Sequence, residues 1–256
     1  MVALRVAFVG KGGAGKSSIA GTFARQLARR GEKVLAVDSD PMPGLSFSLG
    51  LGAIDVAIPD EAVQDQPEGS EGPRFVLREG LTAATAVERY ATVGPDGVYL
   101  LQFGKLRGAP AELARSQVAF RQIVAELPVE AFSIVGDLPG GTRQPFFGWA
   151  RYAATVLVVV EPTAKSVLSA RRLARLARDK EAPQQILAVV SKARTTSDAE
   201  MVRAKTGLDV VASIPWDPAL VESDRLGVSL MDYASASPAA KAVESLLRAI
   251  APAVVA

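Results

Sequence analysis

Gly10-Lys11-Gly12-Gly13-Ala14-Gly15-Lys16-Ser17 is the stretch that decides how this 256-residue chain is read. It follows an apolar run, Leu4 to Val9, and precedes a helical pattern from Lys16 to Arg29. Strand, glycine-rich turn and helix in that order form a phosphate cradle. Glycines let consecutive backbone N–H groups point inward at anionic oxygens, and the helix start near Lys16 turns its positive dipole end to the same anion. Lys16 is expected to reach the β- and γ-phosphates of a nucleotide and Ser17 to ligate Mg²⁺, with Gly12, Gly13, Ala14 and Gly15 supplying the cradle.

Working outward, short apolar runs recur at Lys33 to Val37, Gly97 to Leu101, Phe132 to Val135, Thr155 to Val160, Gln185 to Val190 and Val210 to Ile214. Continuous rather than alternating hydrophobicity means burial on both faces. Helical patterns lie between them at Ala109 to Leu127, Ala164 to Asp179, Asp198 to Thr206 and Pro238 to Ile250. This alternation predicts an α/β fold, a doubly wound and mostly parallel sheet with helices on both faces, in a single domain over 1–256. One compositional break runs from Gly52 to Pro73, where Asp55, Asp60, Glu61, Asp65, Glu68 and Glu71 occur without Lys or Arg. It reads as an acidic excursion over about 52–79, either a solvated loop or a lid for a partner.

Composition removes several chemistries. The chain has no cysteine and no histidine, so thiol nucleophiles, Ser-His-Asp triads, an iron–sulfur cluster on its own thiolates and nearly all zinc sites are excluded. Carboxylates, hydroxyls and phosphate oxygens remain, and these are magnesium ligands. The start is too short for a signal peptide and no run reaches membrane-span length, so a cytoplasmic location is expected. A net charge of +2 gives no global field for nucleic acid, so any basic surface is local.

Lys11 departs from an ordinary phosphate loop, which needs no second lysine directly after its first glycine. With Gly12-Gly13-Ala14-Gly15-Lys16-Ser17-Ser18 it resembles the deviant Walker A motif of the P-loop ATPases that include the ParA/MinD group and the nitrogenase iron protein. The resemblance implies an ATP- and Mg²⁺-dependent homodimer in which Lys11 contacts the nucleotide of the opposite subunit, much as an arginine finger does. It also adds Ser18 to the nucleotide contacts. Asp40, in Val37-Asp38-Ser39-Asp40-Pro41, resembles the family's switch I aspartate, which positions or activates the attacking water. Asp38 either supports the magnesium shell or serves the turn. Phe132 to Asp137 followed by Leu138-Pro139-Gly140-Gly141 reads as a Walker B strand with a switch II turn. Asp137 is expected to hold magnesium through a water, and Gly140 or Gly141 to offer an amide to the γ-phosphate.

On the adenine side, Ser191 stands where family members often carry an asparagine, and this chain has no asparagine. Ile214-Pro215-Trp216-Asp217 resembles the family's I-P-x-D loop, making Pro215, Trp216 and Asp217 expected neighbours of the base, with Trp216 either near it or a surface anchor. The segment from Glu161 is similar to ATPases that help to assemble metalloenzymes such as carbon monoxide dehydrogenase. The stretch 104–112, where relatives carry metal-binding cysteines, has none here, so cysteine-based electron transfer or nickel holding is not expected. The tail, 251–256, lacks the cations of a Min-type membrane helix, so no membrane binding through it is expected. Arg171, Arg175 and Arg178 share a helical stripe with Arg172 beside it, and Leu168, Leu173 and Leu176 are expected to mark the apolar side. That stripe is a solvated face, a DNA contact or a dock for an acidic partner. The primary expectation is an ATPase switch acting on a client protein, and the alternative is a DNA-surface positioning ATPase.

Overall fold

Val6, Ala7, Phe8 and Val9 are wholly buried in β1 (Arg5–Gly10), because helices cover both faces of the strand. The structure is a computed structural model that describes residues 3–40, 44–54, 56, 58–103, 110–140, 150–180 and 183–250. After β1 come α1 (Lys16–Ala28), β2 (Val34–Asp38), α2 (Leu45–Leu49), β3 (Val63–Asp65), β4 (Phe75–Leu77), α3 (Ala83–Tyr90) and β5 (Thr92–Val93). Next are β6 (Tyr99–Gln102), α4 (Pro110–Glu126), β7 (Ser133–Asp137), β8 (Thr155–Val160), α5 (Ala164–Lys180) and β9 (Gln185–Ala193). The chain closes with α6 (Ser197–Thr206), β10 (Val210–Pro215), α7 (Pro218–Leu226), α8 (Leu230–Tyr233) and α9 (Pro238–Ile250).

Eight strands form one sheet in the order β10-β9-β8-β1-β7-β2-β6-β5, parallel throughout except for the edge strand β5, which runs antiparallel to β6. The other edge, β10, shifts register against β9 between Val210 and Ala212 and again between Ser213 and Pro215. Successive side chains point to opposite faces. Val6 and Phe8 therefore pack with Ile19 and Phe23 of α1, Leu45 of α2 and Leu246 of α9. Ala7 and Val9 pack on the other side with Phe120 of α4 and Leu173 of α5. This is the single, doubly wound α/β domain that the alternating pattern predicts. Among the described residues no helix is long and apolar enough to cross a membrane.

β6 begins at Tyr99 rather than at Gly97, because Asp96 and Gly97 adopt positive φ (57° and 75°) in a tight turn ahead of it. α2, α3, α7, α8, β5 and the β3–β4 pair lie outside the strands and helices expected from the sequence. The acidic excursion is partly built into the fold, although its tip, 67–74, is exposed. β3 and β4 pair antiparallel, and Ile58, Ala62, Val63 and Leu77 are buried with α4. The cations missing from the segment come from that helix and from the returning chain. Arg115 reaches Asp60 at 3.3 Å and Asp65 at 2.7 Å, and Arg74 reaches Asp65 at 3.5 Å.

A second correction concerns α5. Its buried stripe is Val167, Ala170, Leu173, Ala174 and Ala177, while Leu168 is 48 % exposed and lies on the face that carries the arginines. Gly141, residues 104–109 and the 251–256 tail lie outside the described residues.

Candidate functional site

β1 runs at the centre of the sheet, and its carboxyl end delivers Gly10 to the loop that enters α1. Gly13 and Gly15 take left-handed conformations (φ 80° and 84°) that side-chain-bearing residues rarely adopt. A Cβ at Gly12, Gly13 or Gly15 would meet nothing within 4 Å, so the loop walls an open concavity. The Ala14 N–H donates to the Lys11 carbonyl at 3.1 Å, closing the loop's turn, and Ile19 N–H donates to the Gly15 carbonyl at 3.1 Å, starting the helix. Lys16 and Ser18 are buried at the first turn, and Lys11 is half-buried.

The carboxylates come from the neighbouring strands. In the parallel register Asp38 of β2 stands beside Asp137 of β7. The Ser17 hydroxyl donates to Asp137 Oδ2 at 2.5 Å, while the buried Oδ1 has no hydrogen-bond partner. Asp38 accepts from the Asp40 N–H and the Leu45 N–H, each at 3.1 Å, so its carboxylate organises the turn that carries Asp40. Among the described residues no group of three or more His, Cys, Asp or Glu could hold a metal. Magnesium, which takes few protein ligands and completes its shell from phosphate and water, nevertheless fits the Ser17–Asp137 pair and its orphaned oxygen.

Burial, with Asp137 facing it, pushes the Asp38 carboxyl up to about 7. Burial likewise lifts Asp137 to about 6, against the pull of Lys16 and of the Ser17 hydroxyl. The Asp40 charge adds to the push on both. Raised native values mean that the folded chain binds more protons than the unfolded chain above the ordinary 3.8. Their stabilising effect is complete below that value and is lost as pH rises through about 7. No histidine titrates in that window. The nucleotide-free protein is therefore expected to melt at a lower temperature at about pH 8 than at about pH 5, with Mg²⁺ and ADP narrowing the gap. Equal melting temperatures by differential scanning calorimetry would contradict this.

Gly140, after β7, presses on the phosphate loop. A Cβ there would lie 3.0 Å from Gly12 N and 3.1 Å from Gly12 Cα, so no side chain fits without parting the two backbones. The phosphate loop and the turn after Asp137 are thus in direct backbone contact.

On the base side, Ser191 is buried and its hydroxyl has no partner. Pro215 ends β10, and Trp216 is 44 % exposed with the Arg194 guanidinium 5.2 Å from its ring centroid. Asp217 turns inward instead: its carboxylate caps α7 through Ala219 N–H at 2.9 Å and receives Ala239 N–H from α9 at 2.8 Å. Those bonds hold the carboxyl below the usual range although burial alone would raise it. Its carboxylate is thereby committed to the two helix starts, and its carbonyl accepts the Val221 N–H at 3.2 Å.

Three residues that sequence reasoning missed also border the site. Asp224 of α7 accepts the Ser18 hydroxyl at 3.0 Å, in a cavity of about 400 Å³ lined in part by Ser17, Gly44 and Phe47. Lys192 and Glu161, at the ends of β9 and β8, pair with one another beside the phosphate loop. Each contact joins residues distant in sequence, and no local pattern announces it.

The family described as the CobQ/CobB/MinD/ParA nucleotide binding domain matches residues 6–230. The chain belongs to that family. It is 27 % identical over 261 residues to an uncharacterized ATP-binding protein of Methanocaldococcus jannaschii, covering 96 % of this chain and 97 % of that one. It is 26 % identical over 247 residues to the carbon monoxide dehydrogenase accessory protein CooC of Rhodospirillum rubrum, covering 91 % of each. The fold matches the septum site-determining protein MinD of Pyrococcus horikoshii, solved with Mg-ADP, with a TM-score of 0.71 at 19 % identity over 95 % of this chain and 94 % of that one.

Proposed function

We propose that this protein is an Mg²⁺-dependent ATPase that works as a switch: ATP joins two copies face to face, and hydrolysis reopens them to act on a client protein. The observation that carries the reading is the Ser17–Asp137 hydrogen bond beneath an open glycine cradle, with Lys16 buried beside it and Asp137 Oδ1 unpartnered. The MinD relative of this fold was solved with Mg-ADP, which fits the same donor set. Ser17 and Asp137 would hold the metal, Asp38 would keep the switch turn in register, and Asp40 would orient and deprotonate the attacking water. Bound magnesium supplies charge neutralisation between the phosphates. Gly140 would report the γ-phosphate through its contact with the loop. The adenine would lie by Ser191, Pro215 and the Trp216–Asp217 backbone.

Lys11 gives the dimer a chemical purpose, since a cation supplied in trans stabilises the transferring phosphoryl group. Lys11→Ala is expected to lower hydrolysis on the order of 10³-fold while leaving ADP affinity of the monomer within about threefold. Size-exclusion chromatography with a non-hydrolysable ATP analogue should then show the variant as monomer where the parent elutes as dimer. A dimer undiminished by the substitution would count against the trans role. Similarity to CooC favours maturation or remodelling of a partner complex as the output.

A second reading, a DNA-surface positioning ATPase, draws on α5, where Arg171, Arg172, Arg175 and Arg178 are all exposed. Retention on DNA that requires ATP and fades with salt would favour it, and its absence would remove it.

A further inference from the structure

Lys192 is one of two non-glycine residues with positive φ among the described residues, at 53°. Side chains rarely occupy that region, and where they do the surroundings hold them there for a reason. Here the conformation falls near the end of β9, where the pairing with β10 shifts register, and Lys192 Nζ donates to the Gly13 carbonyl of the phosphate loop at 2.7 Å and pairs with Glu161 Oε1. Glu161 is one-fifth exposed and Lys192 about half, so the pair sits on the rim of the site rather than in the core.

We propose that Lys192, anchored by Glu161, is a positioning residue that clamps the Gly13–Ala14 peptide and presets the phosphate loop for nucleotide. This rests on the nucleotide-binding part of the proposed function. In a trans peptide the carbonyl and the following N–H point in opposite directions. Lys192 takes the Gly13 carbonyl from one side, and the Lys11 carbonyl takes the Ala14 N–H at 3.1 Å from the other. The peptide is gripped at both ends. A loop of glycines needs such a grip, because each glycine otherwise samples both signs of φ and must be ordered when the ligand arrives. The same bond fixes the carbonyl of Lys11, so the clamp also sets the backbone from which that lysine projects.

A competing arrangement has Lys192 act as a free cation that meets the phosphates directly. The two differ in the sign of one experiment. Glu161→Gln removes a negative charge from the rim, which would strengthen ADP binding to a free cation but weaken it if Glu161 is what holds the clamp. Amide hydrogen exchange over residues 11–14 in the nucleotide-free protein, and calorimetric titration with ADP and Mg²⁺, would be measured for the parent, Lys192→Met, Lys192→Arg and Glu161→Gln. In Lys192→Met both loop exchange and the ADP dissociation constant should rise about tenfold, with the melting temperature of the nucleotide-free protein unchanged. Lys192→Arg, which still donates to a carbonyl and still pairs with a carboxylate, should restore most of both. Unaltered loop exchange in Lys192→Met would overturn the clamp, as would tighter ADP binding by Glu161→Gln. A parent protein that binds no ADP, yet whose loop exchange responds to Lys192→Met, would sink the proposed function and keep the clamp.

Discussion

Lys16→Ala is expected to abolish nucleotide binding. Lys16 is 7 % exposed at the first turn of α1, directly after the glycine loop, and its charge already acts on Asp137. Losing charge-assisted hydrogen bonds to a phosphate there costs about 3 kcal/mol or more, on the order of 10²-fold in affinity. Removing the cation also leaves Asp137 with less to offset its charge, so the variant should bind magnesium differently as well as nucleotide. Calorimetric titration with ADP and Mg²⁺ measures the loss directly. An affinity equal to the parent's would refute the assignment of the phosphate site.

Asp40→Ala should behave in the opposite way, binding ATP normally and failing to turn it over. The Asp40 backbone N–H, not its side chain, donates to Asp38 Oδ1, so truncation to alanine leaves the turn's hydrogen bond in place. What is lost is the carboxylate that would handle the attacking water, a contribution of roughly 10²- to 10⁴-fold. Phosphate release measured beside ATP-analogue affinity separates the two effects, and a variant with full turnover would remove Asp40 from the chemistry. Held in the ATP state, the same variant should retain its client, and what co-purifies with it would name the load on the switch.

The sequence made the phosphate loop legible because its backbone geometry can be built only by glycines at particular offsets. The central strands were legible because burial on both faces leaves no room for alternation. Both signals are local. The β3–β4 pair was not, since the segment is acidic by itself and the cation that faces it, Arg115, comes from α4, 50 residues from Asp65. Leu168 was misread for a related reason: α5 has enough alanines to build its buried stripe without that leucine. The Ser18–Asp224 and Lys192–Gly13 bonds span 206 and 179 residues, and only the folded sheet brings those chain ends together. Asp217 fell between these cases. The motif located it, but the tie from its carboxylate to Ala239 depends on how α9 returns across the sheet.

The two margins of the sheet carry a further consequence. β5 is only two residues long and runs against its neighbour's direction, while β10 slips register twice and ends on a proline. Neither margin offers the long, flat row of free amides and carbonyls that recruits strands from other molecules. Copies of this chain are thereby discouraged from growing into open-ended β assemblies. The switch dimer proposed above would then have to form through the loops at the carboxyl end of the strands, where a bound nucleotide would govern it.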